Sequence, residues 1–344
     1  MTDTLVLDAA DRLFADQATP VLVNAAESGE WPRALWQVTE EAGFLDALGE
    51  GADFAGIVDA VAVLRAAGRH AVPLPLAETM LARFALAAAA LPIPAGPLTM
   101  APVEVEDMLS LQRAADGWHL SGVVRGVPWS REAKSIVVLA DGMAASVAPT
   151  QAAIQRAANL AGEPRDTLSF DGPLAADAVA KLPKALDREL LHSLGALCRA
   201  AQMAGALEAA LGLATQYAGD RVQFGRPIGK FQAIQQQLAQ FAEQVAAATV
   251  AVTGSAEMVA AGGDLFFAAA IAKIRAGEAA GRSSDIAHQV HGAIGFTHEH
   301  RLHHLTRRLW SWRDEFGVES EWSIALGRRV AAQGAEAFWP ALTA

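Results

Sequence analysis

The chain has 344 residues, of which 52% are apolar and only 19% charged. Mean hydropathy is +0.23, the formal net charge is −11 and the pI is near 5.3. At roughly 150 residues per domain the length allows two or three domains. The composition excludes a disordered chain, and the acidic balance offers no basic face for nucleic acid. The single cysteine, Cys198, excludes an intrachain disulfide framework and a Cys-based zinc site. It fits a reducing, cytoplasmic setting.

No membrane span is expected. The longest apolar run, Phe84 to Pro97, is broken by Pro92 and Pro94, short of the roughly 20 residues that a span needs. The first residues, MTDTLVLDAADRLFAD, carry acids where a signal peptide would be basic. The apolar surplus therefore belongs in cores and subunit interfaces, which favours an obligate oligomer.

Three zones follow one another. Residues 1–92 read as short amphipathic helices, with Leu5, Ala9, Leu13 and Phe14 on one face. Trp36, Phe44, Leu45 and Leu48 continue at helical spacing. A turn at Gly49-Glu50-Gly51 then precedes a helix from Phe54 to Ala67. Residues 93–181 change period. Met108–Gln112, Gly117–Val124 and Ser135–Ala140 read as strands, the last ending at an Asp141-Gly142 turn. A small antiparallel β-domain is expected.

Residues 182–344 return to long helices. Leu190, Leu194, Leu197, Ala200, Ala204, Leu207 and Leu211 step by three and four, with Cys198 reading as a small core residue. A second helix runs from about Lys230 to Ala261. Gly262-Gly263 breaks it, and Asp264 caps a third helix that reaches about His291. Two shorter helices follow. The fold class is α+β and mainly α: an N-terminal helical domain, a central β-domain and a C-terminal helical bundle.

Two stretches carry chemistry: Asp220 to Gln232 (DRVQFGRPIGKFQ) and Gln289 to Thr297 (QVHGAIGFT). Both resemble signatures of the flavin-dependent acyl-CoA dehydrogenase family, in order and at a family-like separation, and the zone order resembles it over the whole chain. Arg221 offers a planar fork of donors suited to pyrophosphate. Gln289, Gly292 and Ala293 let backbone approach a bound group. The resemblance implies that Arg221, Phe224, Gln232, Gln289, Gly292 and Ala293 hold the adenosine and pyrophosphate half of an FAD belonging to a neighbouring subunit. Read alone, Arg221 is also a solvated helix-end arginine and Phe224 also a core residue.

The flavin-ring side departs from the family. The usual Thr-Glu-Pro…Gly-Ser-Asp segment falls on Leu98-Thr99-Met100-Ala101-Pro102-Val103-Glu104, with no Gly-Ser-Asp after it. Gly126-Val127-Pro128-Trp129-Ser130 resembles the family's Trp-Ile-Thr segment. Trp129 then either walls a flavin, with Ser130 as its hydroxyl, or packs in the β-domain core.

The base departs as well. Dehydrogenation of an acyl thioester needs a carboxylate for the α-proton. The family's Tyr-Glu-Gly-Thr segment falls on Glu315-Phe316-Gly317-Val318, which puts Phe316 at the base position. The alternative family position on the first long bundle helix falls near Gly195, and Glu189 lies nearly two turns earlier. Three readings follow. In the favoured one, the chain is a base-lacking subunit of a mixed acyl-CoA dehydrogenase that completes a partner's FAD site. In the second, it is a self-sufficient homo-oligomer using Glu315; in the third, it is a non-catalytic scaffold or carries other flavin chemistry. The resemblance also implies an acyl-CoA substrate and electron-transferring flavoprotein as acceptor.

The run His298 to His304 does not match His-Glu-x-x-His, and its alternate histidines face different ways, so no metal is expected. Arg307, Arg308 and Arg313 with Trp310 and Trp312 read either as contacts to CoA or, preferably, as a subunit contact. No Gly-rich phosphate loop follows a strand, which excludes a nicotinamide Rossmann site.

Overall fold

A computed structural model describes residues 3–49, 54–101 and 107–343. Five helices open the chain: α1 (Asp3–Gln17), α2 (Pro20–Glu27), α3 (Arg33–Glu41), α4 (Ile57–Arg69) and α5 (Leu76–Ala88). Thr19 caps α2, its hydroxyl accepting from the Leu22 N–H, and Pro20 takes the first helical position, where no donor is needed. On α1 the buried face is Ala10 and Phe14, continued by Ala18 just beyond the helix, whereas Leu5 and Ala9 are exposed. The expected face is thus rotated: Phe14 is the large side chain of α1 that is fully buried, with Val6, Leu7 and Leu13 packed at its edge. The expected Glu50-Gly51 turn lies outside the described residues.

Eight strands follow: β1 (Leu98–Ala101), β2 (Leu109–Ala114), β3 (Gly117–Pro128), β4 (Ser135–Ala140), β5 (Met143–Val147), β6 (Ala152–Gln155), β7 (Arg165–Leu174) and β8 (Val179–Lys181). They form two four-stranded sheets, ordered β1-β4-β5-β8 and β2-β3-β7-β6. All pairs are antiparallel except β1 with β4, which is parallel. Every residue of β4 is buried. Ile136, Val138 and Ala140 join the core between the sheets, while Val137 and Leu139 join the helical core. A strand covered on both faces reads as a continuous apolar run, which is how Ser135–Ala140 stands in the sequence.

The bundle is built on α6 (Arg188–Asp220), α7 (Gln232–Ala260) and α8 (Leu265–His291). Asp187 caps α6 through the Leu190 N–H, and Asp264 caps α8 through the Phe267 N–H. A two-residue hairpin, β9 (Val222–Gln223) with β10 (Arg226–Pro227), joins α6 to α7. Three helices close the described chain, one more than the sequence suggests: α9 (Leu302–Asp314), α10 (Glu319–Gln333) and α11 (Ala335–Thr343). Gly334, at φ 84°, divides the last two. Helices α4 and α6 cross closely, and a Cβ on Gly205 would fall 1.8 Å from the Arg65 carbonyl oxygen. No helix of the described residues is long and apolar enough to cross a membrane.

Candidate cofactor platform and the base region

The two sequence signatures meet at one end of the bundle. Tyr217, in the last turn of α6, stacks on His291 at the end of α8 with ring centroids 4.8 Å apart. Beyond Tyr217, Arg221 leaves the helix in extended conformation. Its guanidinium is exposed and makes no ion pair among the described residues. The hairpin turn puts Phe224 and Gly225 at φ 53° and 78°, both left-handed, as the tightest hairpin turns require. This lifts the Phe224 ring into solvent, 93% exposed. Phe231 lies edge-on to it at 6.1 Å, with the Arg226 guanidinium 4.2 Å over the Phe231 ring. Gln232, the first residue of α7, is exposed.

On the α8 side, Gln289 is exposed and Gly292 ends the helix at φ 60°. A Cβ at Gly292 would meet nothing within 4 Å, and Ala293 beside it is also exposed. A free guanidinium, an unburied aromatic ring and open glycine backbone are the groups that pyrophosphate and an adenine ring require. The adenosine half of a flavin dinucleotide fits this platform.

The ring side does not offer the same freedom. Trp129, at φ 53°, is buried edge-on against Trp31 at 6.0 Å. Ser130 is fully buried and its hydroxyl donates to Asp166 Oδ2 at 2.7 Å. Arg131 Nε donates to the same oxygen at 2.9 Å. The Thr99 hydroxyl donates to the Pro128 carbonyl at 2.6 Å, and Pro102, Val103 and Glu104 lie outside the described residues. The hydroxyls that the sequence offers to a flavin ring are committed inside the chain.

The base region is filled. Phe316, at φ 55°, lays its ring on α6 at Gly195, where an added Cβ would lie 2.3 Å from Phe316 Cε1. Glu315 turns the other way. Its carboxylate accepts from Arg165 Nε at 2.7 Å, Arg199 Nε at 2.6 Å and Asn159 Nδ2 at 3.4 Å. Burial would raise this carboxyl, but the two guanidiniums outweigh it and hold it at about 2. A carboxylate of that acidity, already carrying three donors, is a poor proton acceptor near neutral pH.

The cluster extends further. Arg199 also bonds Glu78 and Gln202, and Arg165 bonds Glu163. Helix α5, α6, β7 and the α9–α10 turn are thereby tied together. The Lys273 ammonium, fully buried on α8, donates to the Arg313 carbonyl at 2.6 Å and the Gly317 carbonyl at 2.5 Å, fixing the turn that carries Glu315 and Phe316. Burial pushes this amine down to about 8. Glu189 sits at the mouth of a cleft of about 160 Å³ with His192 and Trp322. Sequence reasoning missed this cluster; its one local trace is an arginine at 199 inside the apolar seam of α6.

The aromatic and cationic run on α9 differs from expectation. Arg308 is fully buried and paired with Glu27, Trp312 donates to Glu163, and Arg313 pairs with Glu319. Arg308 and Trp312 serve the interior, while Arg307, Trp310 and Arg313 are half-buried. Glu27, His303 and His304 converge, but Arg307 and Arg308 occupy the two carboxylate oxygens and His304 Nε2 bonds Asn24 at 2.7 Å.

An N-terminal helical domain, two packed four-stranded sheets and a C-terminal helical bundle follow the layout of the acyl-CoA dehydrogenase fold. Residues 191–313 match the family model described as acyl-CoA dehydrogenase, C-terminal domain. Acyl-CoA dehydrogenase IpdE2 of Mycobacterium tuberculosis is 30% identical over 302 residues, covering 86% of this chain and 87% of that protein. The ChsE4-ChsE5 complex from Mycobacterium tuberculosis superposes with a TM-score of 0.85 at 25% identity, covering 96% of this chain and 97% of that one. A variant of the Tcur3481-Tcur3483 steroid ACAD gives 0.86 at 27% identity, covering 97% and 99%. The chain belongs to the acyl-CoA dehydrogenase family, whose members are FAD-dependent oxidoreductases.

Proposed function

We propose that this chain is the base-lacking subunit of a hetero-oligomeric acyl-CoA dehydrogenase, and that it completes the FAD site of a catalytic partner. FAD, when bound, accepts the hydride from the β-carbon of the acyl thioester. This chain's part is to bind and orient it. Arg221 meets the pyrophosphate, Phe224 and Gln232 flank the adenosine, and Gln289, Gly292 and Ala293 supply the backbone edge. The partner supplies the flavin-ring pocket, the glutamate and the donors to the thioester carbonyl.

The observation that carries this reading is the contact between Phe316 and Gly195. Both positions where the family places its glutamate are apolar here, and the Phe316 ring fills the space that a side chain at Gly195 would need. Glu315, the nearest carboxylate in sequence, is bonded to Arg165 and Arg199 and offers no base. The steroid ACAD and the two-component complex among the structural neighbours support a steroid-derived acyl-CoA and a mixed assembly. Electron-transferring flavoprotein as acceptor rests on the family resemblance.

Co-expression with a longer family member tests the reading. The mixture is expected to hold FAD and oxidise acyl-CoA, and Glu315→Gln in this chain is expected to leave turnover per bound flavin unchanged. A chain that oxidises acyl-CoA alone and loses that activity with Glu315→Gln would contradict it.

A further inference from the structure

Beneath the platform lies a histidine cluster that the flavin reading does not use. His291 directly precedes Gly292, and its ring stacks on Tyr217, four residues before Arg221. The Arg221 N–H donates to the Tyr217 carbonyl at 2.9 Å, so both signatures leave their helices within one turn of this stack. His300 closes the far side, its ring centroid 4.6 Å from that of His291 and 6.5 Å from that of Tyr217. The turn after α8 packs down on the group: a Cβ on Gly295 would stand 3.0 Å from His291 Cβ and 3.3 Å from His288 Nδ1.

The hydrogen bonds suit neutral rings at all three histidines. His291 Nδ1 donates to the Ala287 carbonyl at 2.7 Å, and its Nε2 is buried without a partner among the described residues. His300 Nδ1 accepts from the Leu302 N–H at 3.3 Å. The Thr306 hydroxyl donates to the Leu302 carbonyl at 3.4 Å. His288 Nε2 therefore donates to that hydroxyl at 3.0 Å, which leaves its buried Nδ1 bare.

The titratable and charged groups around His291 are His288 and Asp285 on α8, Tyr217 on α6, His300 and Arg301 ahead of α9, and His303 on α9. Asp285 is the one acid in that set, and it acts on His288. Burial holds the His291 imidazole below its usual range, outweighing the bond to Ala287. A proton on Nε2 would create a buried N–H without an acceptor, and attraction to the Tyr217 face does not supply one. Taking up that proton requires the ring to leave the stack for water.

We propose that His291 is a positioning residue for the dinucleotide: neutral and stacked on Tyr217, it holds Arg221 and Gly292 at one spacing, and on protonation it swings out and releases them. Acidification then weakens FAD binding through this chain's platform. The inference rests on the divided FAD site proposed above.

The test is equilibrium dialysis of FAD against the assembly with a longer family member, at about pH 7.5 and about pH 5. His291→Phe keeps a ring on Tyr217 and every other titratable group, but takes no proton. FAD affinity of the unaltered assembly is expected to fall about tenfold between the two conditions, and that of His291→Phe to stay within about twofold. NMR titration of the chain alone reads the switch without FAD. The His291 ring should titrate below 6.5, and the Tyr217 ring signals should move in step. An affinity flat with pH in the unaltered assembly, an equal fall in His291→Phe, or Tyr217 signals indifferent to the His291 titration would overturn the proposal. An assembly that binds no FAD at about pH 7.5 contradicts the divided site instead, and the NMR titration then decides the switch by itself.

Discussion

Phe316 and Gly195 are a complementary pair: the ring of one lies where any side chain on the other would have to stand. They come from the α9–α10 turn and from α6. The turn is held by Lys273 through two carbonyls, and Trp322 Nε1 donates to the Phe316 carbonyl at 2.8 Å. A family member that needed a glutamate at either position would have to leave this space open.

The pair is testable by a double-mutant cycle. Gly195→Ala forces the Phe316 ring to move and is expected to cost about 1–3 kcal/mol by overpacking. Phe316→Ala is expected to cost about 3–5 kcal/mol by leaving a cavity. Chemical denaturation of the double variant should show a loss well below the sum of the two. Strict additivity would mean that the two sites do not touch.

Glu315 is expected to behave as a brace. Glu315→Gln leaves Arg165 and Arg199 without their shared counter-charge and should cost about 3–5 kcal/mol in urea unfolding. A loss below about 0.5 kcal/mol, the range of surface substitutions, would contradict the brace.

Stability should depend on pH in two overlapping windows. Glu315, held at about 2 against an ordinary 4.5, contributes fully above pH 4.5 and progressively less as pH falls towards 2. His304 is held at about 3 against 6.5. Burial is the main cause, followed by the charges of His303 and Arg308. The unfolded chain takes up that proton first, so stability falls as pH drops from 6.5 towards 3. Thermal melts of Glu315→Gln should lose the decline below 4.5, and His304→Gln should soften the decline that begins near 6.5. Parallel profiles for all three proteins would contradict these assignments.

Much of the architecture is legible because it rests on local chemistry. Asp264 caps α8 where the sequence places it, and β4 spans Ser135–Ala140 because an apolar run bounded by Asp141-Gly142 has few alternatives. The sequence also separates the two signature stretches correctly into the α6–α7 connection and the end of α8. What is not legible is direction. Spacing cannot tell whether the Ser130 hydroxyl faces a flavin or Asp166, nor that Arg165, 150 residues from Glu315, grips it. The rotated face of α1 has the same origin, since Leu5 and Phe14 are alike in pattern and only packing separates them.

Arg221→Ala should separate binding from folding. The side chain is exposed and unpaired, so the Tm of the chain alone should stay within the range of surface substitutions, about ±0.5 kcal/mol. FAD affinity of the co-expressed assembly should fall about tenfold to a hundredfold, the worth of charge-assisted hydrogen bonds to phosphate. Equilibrium dialysis of the assembly reads this directly, and an unchanged affinity would remove Arg221 from the platform.

The most direct test of the divided site is the FAD-to-chain ratio of the protein purified alone, read from its visible absorption. A platform without a ring pocket predicts a ratio near zero, restored when a longer family member is co-expressed. A ratio near one for the chain alone would contradict the divided site and identify a self-sufficient flavoprotein.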